Sequence, residues 1–286
     1  MVPFGSGHRK SFMPQDPRYP AFAKKKLGQH FLSDRNIIAR IVRTAAVTGG
    51  DHVLEIGPGR GALTGQLLSA GADVLAIEVD PALASGLEQS FAGARFEVMR
   101  ADALKVSYIA LARERGCRFK VVANLPYNIS GPLLAKFLNE REAFTLMVLM
   151  FQKEVAARIA ARPGTKDYGS LSVLSQVYTD VRLEFDLGPH LFFPRPKVTS
   201  SVVSMRVLDE PRVHVCEEAF FKTVVRAAFS TRRKMLPNAL KTIGFEKEEA
   251  LKALGEAGVD PQRRGETLSI GEFSSLASAL YALRHG

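Results

Sequence analysis

The sequence contains little cysteine and no long apolar run. Only Cys117 and Cys216 occur in the 286 residues, so they form no disulfide framework, and they lack the spacing of metal ligands. The longest apolar run, "FTLMVLMF" at 144–151, has the length of a β-strand and cannot span a bilayer. These absences argue against a secreted, disulfide-stabilised module, a membrane-spanning protein and a metal site. They predict a soluble protein of the reducing cytoplasm.

Acidic residues are also scarce relative to basic ones. The chain has 39 Lys and Arg against 29 Asp and Glu, which gives a formal net charge of +10. This excess favours a polyanionic partner, which is either nucleic acid or an acidic membrane surface. Residues 1–23 carry prolines and charges instead of the apolar core of a signal peptide, so we interpret them as a flexible basic leader.

From Ala39 onward, short apolar runs alternate with segments of helical period. The runs "HVLEIG", "DVLAIEV", "FEVMRAD" and "RFKVVAN" are rich in Val, Ile and Leu, which is typical of parallel strands covered on both faces. The pattern predicts an α/β fold with a doubly wound, mostly parallel sheet. Two later β-rich stretches, 172–187 and 199–208, are joined by the proline-rich "GPHLFFPRPKV", so we expect the sheet to close with a hairpin.

After Pro211 the apolar spacing changes to three and four. Helices are predicted in "CEEAFFKTVVRAAFS", "RRKMLPNALKTI", "EKEEALKALGEAG" and "SIGEFSSLASALYALR". We therefore divide the chain into a leader (1–23), an α/β domain (24–210) and a small helical domain (211–286).

A glycine-rich turn follows the first strand of the predicted sheet. Gly57, Gly59 and Gly61 allow a sharp turn and let a ligand approach the backbone at a helix N-terminus. This turn alone fits a nicotinamide nucleotide site, or a purely structural strand-to-helix connection. Glu78 ends the next strand and can accept hydrogen bonds from both hydroxyls of a ribose. Several nucleotide cofactors carry a ribose, so Glu78 does not show which one binds.

Two further carboxylates favour S-adenosylmethionine as the cofactor. Glu55 precedes Gly57 by two residues, where a carboxylate would disfavour a pyrophosphate and suit an ammonium or sulfonium group. S-adenosylmethionine carries both cations and no phosphate. Asp102, just after the third strand, is then placed to accept a hydrogen bond from the adenine amino group. Taken singly, Asp102 is better explained as the N-cap of a following helix.

A fourth apolar run ends in Asn124, Leu125, Pro126 and Tyr127, a sequence that suits methylation of an exocyclic amine. Such an amine on a planar base is a poor nucleophile because its lone pair is delocalised into the ring. If the Asn124 side-chain oxygen and the Leu125 carbonyl each accept one N–H, the lone pair is directed at the methyl group. Pro126 biases Leu125 away from helical geometry and leaves its carbonyl free, and Tyr127 can stack on the base.

The alternative is a strand that ends in a proline turn, with Asn124 as a cap and Tyr127 in the core. It explains each residue separately but accounts poorly for all of them together. A methyltransferase acting on the cytosine ring would need a nucleophilic cysteine here, and this stretch has none.

The chain resembles the small-subunit ribosomal RNA adenine dimethyltransferases of the KsgA type from about Lys24 to the final helix. The matching stretches are "KKLGQHFLSD", "LEIGPGRGALT", "IEVD", "RADAL", "NLPYNIS", "FFPRPKVTSSVV", "FSTRRKMLPNAL" and "RGETLSIGEF". The resemblance implies a Rossmann-like methyltransferase domain and transfer of methyl groups from S-adenosylmethionine to two adjacent adenines. These lie in the 3′-terminal hairpin loop of small-subunit (16S) rRNA, so we expect a monomeric enzyme of ribosome biogenesis acting on a pre-ribosomal particle.

By the same resemblance, the cofactor pocket is lined by His30, Leu32, Gly57, Glu78, Asp102 and Asn124. Phe193 would supply a second aromatic face against the flipped adenine, opposite Tyr127. From the residues alone, Phe192 and Phe193 cannot be distinguished for this role.

Basic segments recur in several parts of the chain, which predicts that they contact the phosphate backbone of one RNA molecule. A single run of like charges usually marks only a solvated face. These segments are "AKKKLGQHF", the loop 162–166, Arg195 with Lys197, and Arg232, Arg233 and Lys234. Two alternatives remain. One is a related dimethylase of a single large-subunit adenine, against which "FSTRRKMLPNAL" and "RGETLSIGEF" argue. The other is an RNA-holding assembly factor in which methyl transfer is secondary.

Overall fold

The computed structural model describes residues 30–231 and 234–285. In chain order its strands are β1 (Phe31–Leu32), β2 (His52–Ile56), β3 (Asp73–Glu78), β4 (Phe96–Arg100), β5 (Phe119–Asn124), β6 (Phe144–Gln152), β7 (Thr179–Leu187), β8 (Phe192–Phe193) and β9 (Ser200–Val207). The helices are α1 (Arg35–Thr44), α2 (Ala62–Ser69), α3 (Pro81–Ser90), α4 (Tyr108–Arg115), α5 (Ser130–Asn139), α6 (Lys153–Ala160), α7 (Ser170–Tyr178), α8 (Glu218–Ser230), α9 (Leu236–Leu240), α10 (Lys247–Glu256) and α11 (Ile270–His285).

The main sheet has seven strands in the order β4-β3-β2-β5-β6-β9-β7. Strands β4, β3, β2, β5 and β6 are parallel, and β9 lies antiparallel between β6 and β7. The predicted doubly wound, mostly parallel sheet with an antiparallel closing pair is confirmed. The strand order reverses between β2 and β5, and a crevice beyond their carboxyl ends is where open α/β sheets bind ligands.

One strand prediction is wrong in its first half. Residues 172–178 belong to α7, and only Thr179–Leu187 is a strand. Val173 and Val177 are both fully buried, and because they are four residues apart they lie on one face of a helix. Serine and valine in a short apolar run fit either element, so the helical spacing was the better guide.

The helices after Pro211 pack around a second core. α8, α10 and α11 confirm three of the predicted helices, whereas the helix in "RRKMLPNALKTI" begins only at Leu236; Arg232 and Arg233 lie outside the described residues. Tyr168, Val173 and Val177, which precede Pro211, also pack in this core. The domain boundary at 210/211 stays a prediction. Within the described ranges, no helix is both long enough and apolar enough to cross a membrane.

Candidate active site

A cavity of about 270 Å³ lies at the reversal of strand order. It is bounded by the carboxyl ends of β2, β3 and β5 and by the residues around β1. The structure brings together every residue predicted to bind the cofactor, along with the Asn-Leu-Pro-Tyr turn: His30, Leu32, Gly57, Glu78, Asp102, Asn124, Leu125, Pro126 and Tyr127 all line it. Phe193 lies outside this lining.

The glycine turn is required by close contacts as well as by its backbone angles. Gly59 has φ of +59°, and a Cβ atom there would lie 2.8 Å from Cε1 of Phe31. Gly61 has φ of +76°, and its Cβ atom would lie 2.7 Å from Cε2 of Phe91. Any side chain at either position would therefore displace an aromatic ring. The turn brings its backbone to the edge of the cavity.

The Glu78 carboxylate is held at the end of β3 by two backbone N–H groups. Oε1 accepts a hydrogen bond from the Asp80 N–H at 2.9 Å, and Oε2 accepts one from the Gly59 N–H at 3.4 Å. Burial raises the pKa of this carboxyl group, and the two N–H groups oppose the rise. Because the hydrogen bond from Gly59 is long, Oε2 can also accept a hydrogen bond from the hydroxyl of a ligand.

Glu55 is the most deeply buried acid of the cavity, with 2% of its surface exposed. The Thr64 hydroxyl donates to its Oε2 at 2.6 Å. Burial raises the pKa of Glu55 to about 8, the charge of Glu78 adds to the rise, and the Thr64 hydrogen bonds oppose it. Near neutral pH this carboxyl group is therefore largely protonated unless a nearby cation lowers its pKa. The sequence did not indicate that Glu55 would be protonated.

Asp102 lies in a turn after β4. The alternative role considered for it, as the N-cap of a following helix, is wrong. Its Oδ1 accepts from the Leu104 N–H at 3.0 Å, but the next helix, α4, begins only at Tyr108 and is capped by Ser107. The carboxylate of Asp102 lines the cavity instead.

The Asn124 amide has a defined orientation. Its Nδ2 donates to the His30 carbonyl at 2.8 Å, and because only the nitrogen of an amide side chain can donate, Oδ1 must be the opposite atom. The Leu125 carbonyl accepts no hydrogen bond from residues 30–231 or 234–285. Asn124 and Leu125 both line the cavity, so the end of β5 offers it two acceptors that no donor among the described residues engages.

The aromatic residues near the cavity differ in exposure. The Tyr127 ring lies 5.4 Å from the His30 ring, and the His30 Nδ1 lies 2.7 Å from the Pro194 carbonyl oxygen. Phe192 is buried, whereas Phe193 is 61% exposed. Since β8 pairs with β1, directly after His30, the exposed Phe193 is the one of the two that a base could contact.

Thr64, Val79 and Ser200 are among the residues at the site that sequence reasoning did not identify. Thr64 lies in the first turn of α2, so its closeness to the glycine turn was a usable signal. Val79 directly follows Glu78 and is 52% exposed on the cavity wall. Ser200 bonds Tyr127 across 73 residues of chain, and no local pattern indicates such a pair.

The predicted RNA-contacting lysines and arginines that the structure describes are all exposed. They are Arg162, Lys166, Arg195, Lys197 and Lys234. His30 and Phe31 of "AKKKLGQHF" are only partly exposed. Residues 23–29 of "AKKKLGQHF", like Arg232 and Arg233, lie outside the described residues.

Comparisons with known proteins identify similar chains over nearly the whole length. The sequence model of the ribosomal RNA adenine dimethylase family matches residues 21–281. The ribosomal RNA small subunit methyltransferase A of Geobacter metallireducens is 48% identical over 265 residues, which cover 91% of this chain and 96% of the relative. The enzyme of the same name from Pelotomaculum thermopropionicum is 46% identical over 273 residues, with 92% of each chain covered.

Two solved structures share the fold. A dimethyladenosine transferase from Plasmodium falciparum has a TM-score of 0.72 at 28% identity, over 86% of this chain and 96% of that one. The 23S rRNA methyltransferase ErmE has a TM-score of 0.66 at 28% identity, over 88% and 99% of the two chains.

Proposed function

The chain belongs to the ribosomal RNA adenine dimethylase family and is a methyltransferase; we propose that it methylates the exocyclic amino groups of two adjacent adenines in the 3′-terminal hairpin loop of small-subunit rRNA. The observation that carries the proposal is the pair of acceptors at the end of β5, Asn124 Oδ1 and the Leu125 carbonyl. The relatives' printed names support the small subunit as the target.

The cavity fits S-adenosylmethionine as the methyl donor. Glu78 would bind the ribose hydroxyls, Asp102 the adenine amino group, and Glu55 would lie near the cationic end. These are acceptors, which suit hydroxyls, an amine and a cation and do not suit a pyrophosphate. His30, Leu32 and the backbone at Gly57 would complete the pocket. When bound, this cofactor supplies an electrophilic methyl group on its sulfonium.

The residues at the end of β5 prepare the adenine amine for attack. Asn124 Oδ1 and the Leu125 carbonyl each accept one N–H, which directs the nitrogen lone pair away from the ring. Tyr127 and Phe193 hold the base between their aromatic faces. Stacking of a base on an aromatic side chain contributes about 1–3 kcal/mol to binding. These residues would keep the nitrogen oriented toward the methyl group that the bound cofactor would supply, and the surplus proton of the methylated amine would leave to water.

RNA binding follows from the exposed basic residues. We assign cofactor binding to the domain 24–210 and part of the RNA contact to the domain 211–286. Arg162, Arg195 and Lys234 lie in three different loops and would contact phosphates. The enzyme is proposed to act as a monomer on a pre-ribosomal particle in the cytoplasm.

The test is to map the methylated nucleotides. Purified protein is incubated with labelled S-adenosylmethionine and small subunits that lack the modification, with Asn124→Ala as the control for a contaminating enzyme. Methyl groups on the two adjacent adenines are the expected result. Label on a large-subunit adenine would favour the alternative dimethylase, and RNA binding without transfer would favour an assembly factor.

A further inference from the structure

Ser200 lies behind the active-site turn and does not line the cavity. It is fully buried at the start of β9, and its Oγ lies 2.5 Å from the hydroxyl oxygen of Tyr127. In the sheet it is paired on one side with Gln152 of β6 and on the other with Leu187 of β7. The position of its hydroxyl is therefore fixed by two strands.

Tyr127 needs such a support because its backbone belongs to a turn. Its ring is held at one end by the chain after Pro126 and at the other by the Ser200 hydroxyl. The hydroxyl oxygen lies on the long axis of the ring, so the hydrogen bond opposes swinging of the ring about the Cα–Cβ bond, which would leave a half-buried polar group unpaired. The bond thus fixes the direction of the ring axis and with it the position of the ring. Rotation of the ring about this axis does not break the bond, and the His30 ring, with its centroid 5.4 Å away, is a neighbour that limits that rotation.

We propose that Ser200 is a positioning residue for methyl transfer, which holds the Tyr127 ring in place and through it the target adenine. The inference rests on the proposed function, in which Tyr127 stacks on the base. If the ring shifts from this position, the amine no longer meets the Asn124 and Leu125 acceptors together, although the base still binds. The consequence should therefore fall on turnover and leave RNA affinity unchanged, because phosphate contacts dominate that affinity.

Ser201 provides a matched control on the same strand. It is also buried, with 2% of its surface exposed, and its hydroxyl donates to Asp186 at 2.6 Å. Adjacent residues of a strand point to opposite faces, so Ser201 lies on the face away from Tyr127. Loss of either hydroxyl removes one partly buried hydrogen bond of β9, but only the Ser200 hydroxyl contacts the active-site turn.

The experiment compares wild type, Ser200→Ala, Ser200→Thr and Ser201→Ala with the same rRNA substrate. Ser200→Ala is expected to lower kcat about three- to tenfold, the equivalent of one hydrogen bond, with unchanged dissociation constants for RNA and cofactor. Ser200→Thr keeps the hydroxyl and should restore kcat. Ser201→Ala should lower the melting temperature about as much as Ser200→Ala and leave kcat unchanged.

Tyr127→Phe tests the same bond from the other side. It should lower kcat as Ser200→Ala does, and the double variant should lose no more than either single variant. Equal kcat for Ser200→Ala and Ser201→Ala, or additive losses in the double variant, would overturn the inference while the wild type still methylates. A folded wild type that transfers no methyl group would instead overturn the proposed function.

Discussion

Replacing Glu55 with glutamine removes an ionisable group from the cavity with little change of shape. Glu55 is buried and accepts a hydrogen bond from the Thr64 hydroxyl at 2.6 Å, and a glutamine oxygen can accept the same bond. In the wild type, burial and the neighbouring charge of Glu78 raise the pKa from 4.5 to about 8. The glutamine variant stays neutral at every pH, so the two proteins should differ in how stability depends on pH.

The sign of this dependence follows from the direction of the pKa shift. A carboxyl group whose pKa is raised on folding stabilises the folded state most below its unfolded value of 4.5, and this contribution is lost as pH rises to about 8. Each pH unit in that window changes the free energy of unfolding by about 1.4 kcal/mol. Glu55 therefore accounts for a loss on the order of 5 kcal/mol across the window, and Glu55→Gln avoids it.

Chemical denaturation at a series of pH values from about 5 to 9 measures the difference. The variant should gain on the wild type by about 1.4 kcal/mol per pH unit, with the gain levelling off above pH 8. Glu248 is an exposed carboxylate on α10, and Glu248→Gln serves as the control because it makes the same substitution outside the cavity. A constant difference between Glu55→Gln and wild type would refute the reasoning that burial keeps this group protonated.

Cofactor binding gives an independent check on the same residue. A sulfonium or ammonium group near Glu55 lowers its pKa, so binding at neutral pH should release a proton from the wild type. Calorimetry in two buffers of different ionisation enthalpy measures that proton. Glu55→Gln should release none, and equal proton release from both proteins would assign the proton to another group.

Three further variants test the rest of the site. Asn124→Ala should lower turnover by about 10²- to 10³-fold, as loss of one transition-state hydrogen bond does, while calorimetry shows cofactor binding mostly intact. Glu78→Ala should weaken cofactor binding by on the order of 1.5–3 kcal/mol; an unchanged dissociation constant would exclude the ribose contact. Gly59→Ala should lower the melting temperature more than Gly116→Ala does, because both have positive φ but only the first meets a ring, that of Phe31.

The fold was largely predictable because its signals are local. Continuous Val, Ile and Leu marked the parallel strands, and glycines with positive φ marked the turn after β2. Glu78 ends β3 and Asp102 lies two residues after β4, so the rule that ligands lie beyond the carboxyl ends of strands predicted that both would lie at the cavity, which they line. The exception is α7. Its short apolar run fits both the spacing of a strand and that of a helix, and the strand interpretation was wrong for residues 172–178.

The details of the site were less predictable because they depend on residues far apart in the chain. The His30 carbonyl that orients Asn124 is 94 residues away. The protonation of Glu55 follows from burial, which no spacing rule gives. Phe192 and Phe193 could not be distinguished from composition, because adjacent strand residues face opposite sides and only the pairing of β8 with β1 shows which is exposed.

Exposed cations lie on the surface of this protein, whereas carboxyl groups line its cavity. The surface therefore suits RNA, and the cavity suits a cationic cofactor. Exposed cations such as Arg162, Lys166 and Lys197 belong to a chain with a net charge of +10, which attracts RNA phosphates over a distance set by the Debye length. The cavity instead contains the carboxyl groups of Glu55 and Glu78, and Glu55 ionises when a nearby cation lowers its pKa, so the cavity favours a cation over a phosphate. An RNA nucleotide can therefore present its base to the cavity while its phosphate stays outside. Added salt should screen the exposed contacts and leave the buried ones nearly unchanged, so RNA binding and cofactor binding should respond to salt independently.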